Sequence, residues 1–250
     1  MRTSPPKPRG LLPLHWWRLK RSAGRRWREW RLPRGFERLG TKYGGWWIFT
    51  PALAGKPLLI DCGLGRDISF PAAFLGRFGG RVVGIDPNPE AIEYSRAHCP
   101  KGMEVRGEAF WVEPGKQLTF HLPRPLDELP KGADGVSGSL LATHSYAGRG
   151  TLSVRTTSLA EVLAQCESRE CDVLKLDIEG AEYAVLDALC RTGEIRRTRQ
   201  LLVEFHHHCT DHTLEDTLNA ISRIEASGFR LRHTEDRNGV FLRRDLENAA

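Results

Sequence analysis

From Leu58 onward, short apolar runs alternate with segments whose apolar residues recur at helical spacing, which is the signature of parallel βα units. PLLIDC (57–62) and RVVGID (81–86) predict the first two strands, joined by a glycine turn and a helix over 67–78. NPEAIEYSRAH predicts the next helix, with Asn88 as its cap and Ile92 facing inward. A third strand near 103–107 leads into a predicted hairpin through 110–112 and 117–121. Residues 123–150 are rich in Pro, Gly and Ser and read as a long loop, a candidate substrate lid. LSVRTTSLAEVLAQ reads as a strand and then a helix capped near Thr157, with Glu161 completing the capping arrangement. CDVLKLDIEG, AEYAVLDALC and QLLVEFHH give a fourth strand, its helix and a fifth strand. A helix over 213–226 precedes FRLRHT and GVFLRR, two strands joined at EDRN. The expected fold is therefore α/β, a Rossmann-like parallel sheet with a closing antiparallel hairpin.

Composition adds an arm to this picture. Residues 1–50 hold 13 Lys and Arg against Glu29 and Glu37, a balance of +11 in a chain whose total is +6, so the other 200 residues carry −5. Residues 1–35 combine five prolines with Trp16, Trp17, Trp27 and Trp30 and show no sustained period, so they read as a basic arm before a domain over 36–250. Such an arm either packs its tryptophans on protein, lies on an anionic membrane surface, or stacks on nucleic acid. No stretch reaches the roughly 18 apolar residues of a membrane-spanning helix, and no signal-peptide apolar region opens the chain. A cytoplasmic location is expected, with peripheral membrane contact through the arm as a variant. The six cysteines lack CxxC spacing and read as reduced thiols. The oligomeric state is not legible.

Three constellations carry chemistry. Asp61-Cys62-Gly63-Leu64-Gly65-Arg66-Asp67 ends the first strand, and Asp86 ends the next, 25 residues after Asp61. Glycines here let the chain turn tightly toward a helix or a ligand, and an acid ending the second strand suits the ribose hydroxyls of an adenosine cofactor. The third glycine of the dinucleotide fingerprint is missing, with Asp67 near its place, which suits a phosphate-free sulfonium cofactor better than a pyrophosphate. The second constellation is LKLDIEGAEY, which sets Asp177, Glu179 and Glu182 at the carboxyl edge of the sheet, where ligands of open α/β sheets bind. Asp177 is the favoured catalytic acid there, and Glu182 reads as an exposed first-turn residue near a helix dipole. The third is Glu204-Phe205-His206-His207-His208, in which alternation places Glu204, His206 and His208 on one face and makes His206 a candidate base. Asp177, Glu204 and His206 are ligand types that suit Mg²⁺ or Mn²⁺, but no metal centre is assigned. Trp46 and Trp47 either close over a ligand or pack the entrance strand on the sheet, and packing is favoured.

DCGLGRDISF, VVGIDPNPEAIEY, TTSLAEVL, DVLKLDIEGAEYAVLDAL and LLVEFHHH, with GTKYGGWWI near the start, resemble the FkbM-type O-methyltransferases over residues 36–243. The resemblance implies a seven-stranded methyltransferase sheet, S-adenosylmethionine as methyl donor, and transfer to a hydroxyl of a sugar, glycan or natural-product acceptor. By position it implies Asp61, Gly63, Gly65 and Asp67 at the cofactor turn, Asp86 at the ribose, Glu108 toward the adenine, and Asp177 with His206 beside the transferring methyl.

Two other classes stay in view. An NAD-dependent oxidoreductase shares the glycine turn and ribose acid, although a dehydrogenase sheet usually continues in parallel units where this chain predicts a hairpin. A nucleic-acid-binding protein or RNA methyltransferase would use the basic arm, against which stands the acidic balance of the remaining chain.

Overall fold

A strand buried on both faces turns no side to water, and two strands at the centre of the chain's sheet are of this kind. They are β3 (Leu58–Cys62), buried at all five positions, and β9 (Cys171–Leu176), buried at all six. The structure, a computed structural model, describes residues 34–130 and 135–246. Most of the arm, residues 1–33, lies outside the described residues.

The central sheet forms around these two strands. On one side of β3 lie β4 (Arg81–Ile85) and then β5 (Met103–Arg106); on the other side of β9 lies β10 (Thr198–Glu204), all parallel. The sheet closes with β11 (Phe229–Glu235) and β12 (Asn238–Arg243), and its order is β11-β12-β10-β9-β3-β4-β5. β12 runs antiparallel to both of its neighbours, so the last hairpin inserts one reversed strand into a sheet of seven.

Alternation along the strands divides the core. Ile60, Leu174, Leu201 and Val203 face a cluster that includes α4 (Glu182–Thr192) and α5 (Leu214–Ala226). Leu59, Val173 and Leu202 face the opposite cluster with α1 (Ser69–Phe78). That second face is also covered by an antiparallel ribbon of β1 (Phe36–Leu39) and β2 (Trp46–Phe49). Trp46 and Ile48 are buried there, so the tryptophan pair packs as expected. Gln200 fastens the ribbon: its Oε1 accepts from Phe49 N at 2.7 Å and its Nε2 donates to Phe49 O at 2.9 Å.

α2 (Pro89–His98) starts at Asn88, whose side chain accepts from Glu90 N, and Ile92 is buried, both as the sequence indicates. Four expectations need correction. β6 (Ala109–Phe110) and β7 (Gln117–Pro123) do not pair with each other; both pair with β8 (Ala147–Thr157), in the order β6-β8-β7. β8 is long enough to serve two partners, so the segment between β7 and β8 is shorter than expected and runs over 124–146. The cap of α3 (Leu159–Gln165) is Ser158, which accepts from Glu161 N, while Glu161 Oε2 accepts from the Thr157 hydroxyl at 2.8 Å. The helix after the glycine turn begins at Ser69 rather than Asp67, because Asp67 Oδ1 accepts from Ser69 N at 2.8 Å and acts before the first turn.

Among the described residues no helix is long and apolar enough to cross a membrane. All six cysteines are free.

Candidate active site

The glycine turn is held from three sides. Gly63 has φ +88°, and a Cβ there would lie 1.7 Å from the carbonyl oxygen of Asp177. Its glycine is thus required by the neighbouring strand end, a reason the sequence motif alone does not reveal. Gly63 N donates to Ile85 O at 2.9 Å, and Asp177 N donates to Cys62 O at 3.0 Å, so the turn is stitched to the ends of β4 and β9. Gly65 has φ +54°, the second left-handed residue of the turn.

Asp86 braces the same loop. Its Oδ2 accepts from Leu64 N at 2.8 Å and Gly65 N at 3.1 Å, and its Oδ1 accepts from Asn88 N at 2.8 Å. A carboxylate offers about four acceptor positions, so about one remains for a ligand hydroxyl. Burial raises the Asp86 pKa, opposed by those three amides. Asp67 turns the other way: Oδ2 accepts from the Thr41 hydroxyl at 2.5 Å and Gly44 N at 3.2 Å. Burial alone would raise its pKa, but the bonds from Ser69, Thr41 and Gly44 lower it. Asp67 thereby ties the Tyr43-Gly44-Gly45 segment to the glycine turn. Glu108 follows β5, and its carboxylate is paired with Arg155.

Lys175, which sequence reasoning passed over inside LKLDIEG, joins the turn to the reacting edge. Its buried ammonium donates to Gly63 O at 2.5 Å and lies 3.0 Å from Asp61 Oδ1 and 3.5 Å from Asp177 Oδ2, with the Trp46 ring 5.5 Å away. Burial would lower the Lys175 pKa, but Asp61 and Asp177 raise it, so it stays charged. Burial raises the Asp61 pKa against Lys175. The well-directed bond of the ammonium goes to Gly63, and Asp61 Oδ1 is buried without a directed hydrogen bond.

The structure brings Asp177 and His206 together, with two carboxylates that were not assigned to this site from sequence. His206 Nε2 is 3.6 Å from Asp177 Oδ1 and 3.4 Å from Glu179 Oε2. Its Nδ1 is 3.2 Å from Glu182 Oε1, which also accepts from His206 N at 2.9 Å. Glu182 is fully buried, not an exposed first-turn residue. Its second oxygen accepts from Gly180 N at 2.8 Å, so helix α4 begins with an acid turned inward to orient the histidine. Burial would lower the His206 pKa, but Glu179 and Glu182 raise it well above the usual range. A ring that holds its proton is not a free base, which qualifies the role expected for His206. Burial pushes Asp177 up to about 7 against Lys175, and 27% of its side chain remains exposed, so a ligand can reach it. Glu179 is held down to about 2: burial opposes this, but His206 and His144 prevail.

Glu179 has φ +53°, uncommon for a residue with a side chain. His144, from the segment between β7 and β8, lies with Nε2 3.0 Å from Glu179 Oε2 and is buried. No sequence signal marks it, because its neighbours read only as loop. Glu204 pairs with Arg237 at 3.1 Å rather than with His206, and its charge still acts on Asp177 and His206. β10 ends at Glu204, so the alternation expected through His208 stops there.

The Methyltransferase FkbM domain matches residues 61–231, from the acid of the glycine turn to β11. The chain belongs to this family. Its cofactor is S-adenosylmethionine. The site fits that group: Asp61, Asp86 and Asp177 surround the turn with acid and suit a cofactor that carries cationic groups and no phosphate. Among curated proteins, the probable methyltransferase-like protein 24 of Rattus norvegicus is 29% identical over 106 residues, covering 38% of this chain. The Homo sapiens protein of the same description is 28% identical over the same length. The match spans 29% of the length of either relative. Among solved structures, the Methanococcus jannaschii fibrillarin pre-rRNA processing protein is 11% identical, with a TM-score of 0.43 over 79% of this chain and 70% of that one.

Proposed function

We propose that this FkbM-family methyltransferase methylates a hydroxyl oxygen on a sugar, glycan or natural-product acceptor. The observation that carries the reading is the meeting of a reachable Asp177 with His206 at the carboxyl edge of β9 and β10, beside the glycine turn. A hydroxyl must lose its proton as the new bond forms, and these groups stand where it would be accepted.

S-adenosylmethionine supplies an electrophilic methyl when bound. The chain's own residues hold and orient. Gly63 and Gly65 shape the turn, the remaining acceptor position of Asp86 suits a ribose hydroxyl, and Asp61 suits a donor group of the cofactor. Lys175 holds Asp61 and Asp177 in one arrangement across the turn. Asp177 receives the hydrogen bond and then the proton of the acceptor hydroxyl, while Glu182 keeps the His206 ring in place. Fixing two reactants in register supplies on the order of 7 to 11 kcal/mol of the barrier. Acid at the acceptor edge opposes polyanions, so nucleic acid is a poor acceptor for this site.

The test is label transfer from methyl-labelled S-adenosylmethionine to a panel of glycosides, aliphatic alcohols, amines and RNA, using the full chain. Label in a methyl ether of a glycoside or an aliphatic alcohol supports the reading; label only in amines or RNA refutes it.

A further inference from the structure

The arrangement around His206 asks for a cation. Its Nδ1 faces an oxygen of Glu182, which can only accept when ionised, so Nδ1 carries hydrogen and Nε2 points toward Asp177 Oδ1 and Glu179 Oε2. Carboxylate oxygens cannot be left facing a bare imidazole lone pair; a proton or a metal ion must lie between. The two distances, 3.6 and 3.4 Å, are long for charge-assisted N–H···O bonds, which run about 2.7–2.9 Å. They match the edges of a tetrahedron: ligand bonds of about 2.1 Å place neighbouring donor atoms about 3.4 Å apart. The three donor atoms all lie within 4.8 Å of one another.

The surroundings are built to match. Glu182 on Nδ1 is the carboxylate–histidine support found behind metal-bound imidazoles. His144 holds Glu179 in turn. Its Nδ1 accepts from Tyr146 N at 3.2 Å, so Nε2 carries the ring's hydrogen and donates to Glu179 Oε2. This makes His144 a support and not a ligand, and it sets aside the alternative triad of His144, Glu179 and Cys209. The left-handed backbone of Glu179 is pinned by Ser139, whose hydroxyl donates to its carbonyl at 2.6 Å. Asp61 and Asp177 lie beside the fixed ammonium of Lys175, and Glu179 and Glu182 lie beside the His206 ring, so four acids outnumber the one lysine and leave negative charge for a divalent ion to offset.

We propose that Asp177, Glu179 and His206 form a three-ligand site for a divalent transition-metal ion of the zinc class, with its fourth position open to the acceptor oxygen. One nitrogen and two oxygens suit Zn²⁺ or Co²⁺ better than Mg²⁺ or Ca²⁺, and three protein ligands with one open position is the pattern of catalytic zinc. The acceptor-oxygen part rests on the hydroxyl-methylation reading above; the metal site itself does not.

The experiment is a Co²⁺ titration of the metal-stripped full chain, read by visible absorption and by equilibrium dialysis without cofactor or acceptor. One equivalent with the intense bands of four-coordinate Co²⁺ is expected, lost in Asp177→Asn and Glu179→Gln and kept in Cys209→Ser, with thermal unfolding confirming that each variant folds. No stoichiometric binding by the wild type overturns the site, as does a thiolate-to-cobalt band that disappears in Cys209→Ser. If binding is lost in the two carboxylate variants but no hydroxyl is methylated by the metal-loaded chain, the site stands and the hydroxyl reading fails. If the stripped chain methylates a hydroxyl at the full rate and binds no Co²⁺, the reading stands and the site fails.

Discussion

Gly63→Ala tests the close approach on which the site is built. The native φ of +88° lies where side chains are strained, at about 1–3 kcal/mol, and the new methyl would fall 1.7 Å from Asp177 O. That oxygen is backbone at the end of a central strand, so it cannot swing aside, and relief requires parting the turn from β9. Overpacking of this kind adds about 1–3 kcal/mol or more, giving a total on the order of 4 kcal/mol. For a chain of this size, each kcal/mol moves Tm by about 2–4 °C, so the expected loss is on the order of 10 °C. Gly115→Ala is the control: φ there is +73°, and a Cβ would meet nothing within 4 Å, so it carries strain without a clash. Thermal unfolding of both variants, with and without S-adenosylmethionine, separates the two contributions. The Gly63 variant should fall well below the Gly115 variant and lose the shift given by cofactor. Equal Tm values for the two variants would refute the argument that strand contact, rather than conformation alone, demands the glycine.

Lys175→Met leaves Asp61 and Asp177 without their cation, and breaking a buried pair in this way costs about 3–5 kcal/mol in chemical denaturation. Adding Asp61→Asn should recover part of the loss, and a double variant no more stable than the single one would show that Lys175 is not held by that pair. Asp67→Asn should destabilise by about 1 kcal/mol near pH 7, because the amide keeps one acceptor oxygen for Ser69 N but turns donors toward the Thr41 hydroxyl and Gly44 N. Because the folded Asp67 pKa is lowered, its contribution is present above the unfolded value of about 3.9 and is lost as pH falls through the folded value. Denaturation of wild type and variant should therefore converge in acid, and a gap that persists well below that range counts against the assignment. We expect the basic, tryptophan-bearing residues 1–33 to hold the chain on anionic vesicles; sedimentation unchanged by their removal dismisses that role.

The parallel strands and their helices were legible because each carries its own period, and the closing hairpin because two β-rich runs flank a short polar turn. The β6-β8-β7 arrangement was not, since pairing partners far apart in the chain leave no local trace, and adjacency suggested a hairpin instead. At the site, Asp177 and His206 were readable as polar residues at the carboxyl ends of apolar runs. Glu182 was misread because a helix's first turn is usually exposed, and only the chain's path from β10 shows that this one faces inward. His144 and Lys175 depend wholly on the third dimension. One lies in a segment with no pattern, and the other sits in a strand where an ammonium is tolerated only because two acids wait beside it.

In the proposed site, the backbone contact between Gly63 and Asp177 means that the turn assigned to the cofactor and the acid assigned to the acceptor cannot move separately. Any shift of Asp177 on docking an acceptor is transmitted to the loop that receives the cofactor, and the reverse holds with equal free energy. Such a pair of sites favours a definite order of arrival and departure, with the affinity for one reactant dependent on whether the other is already in place.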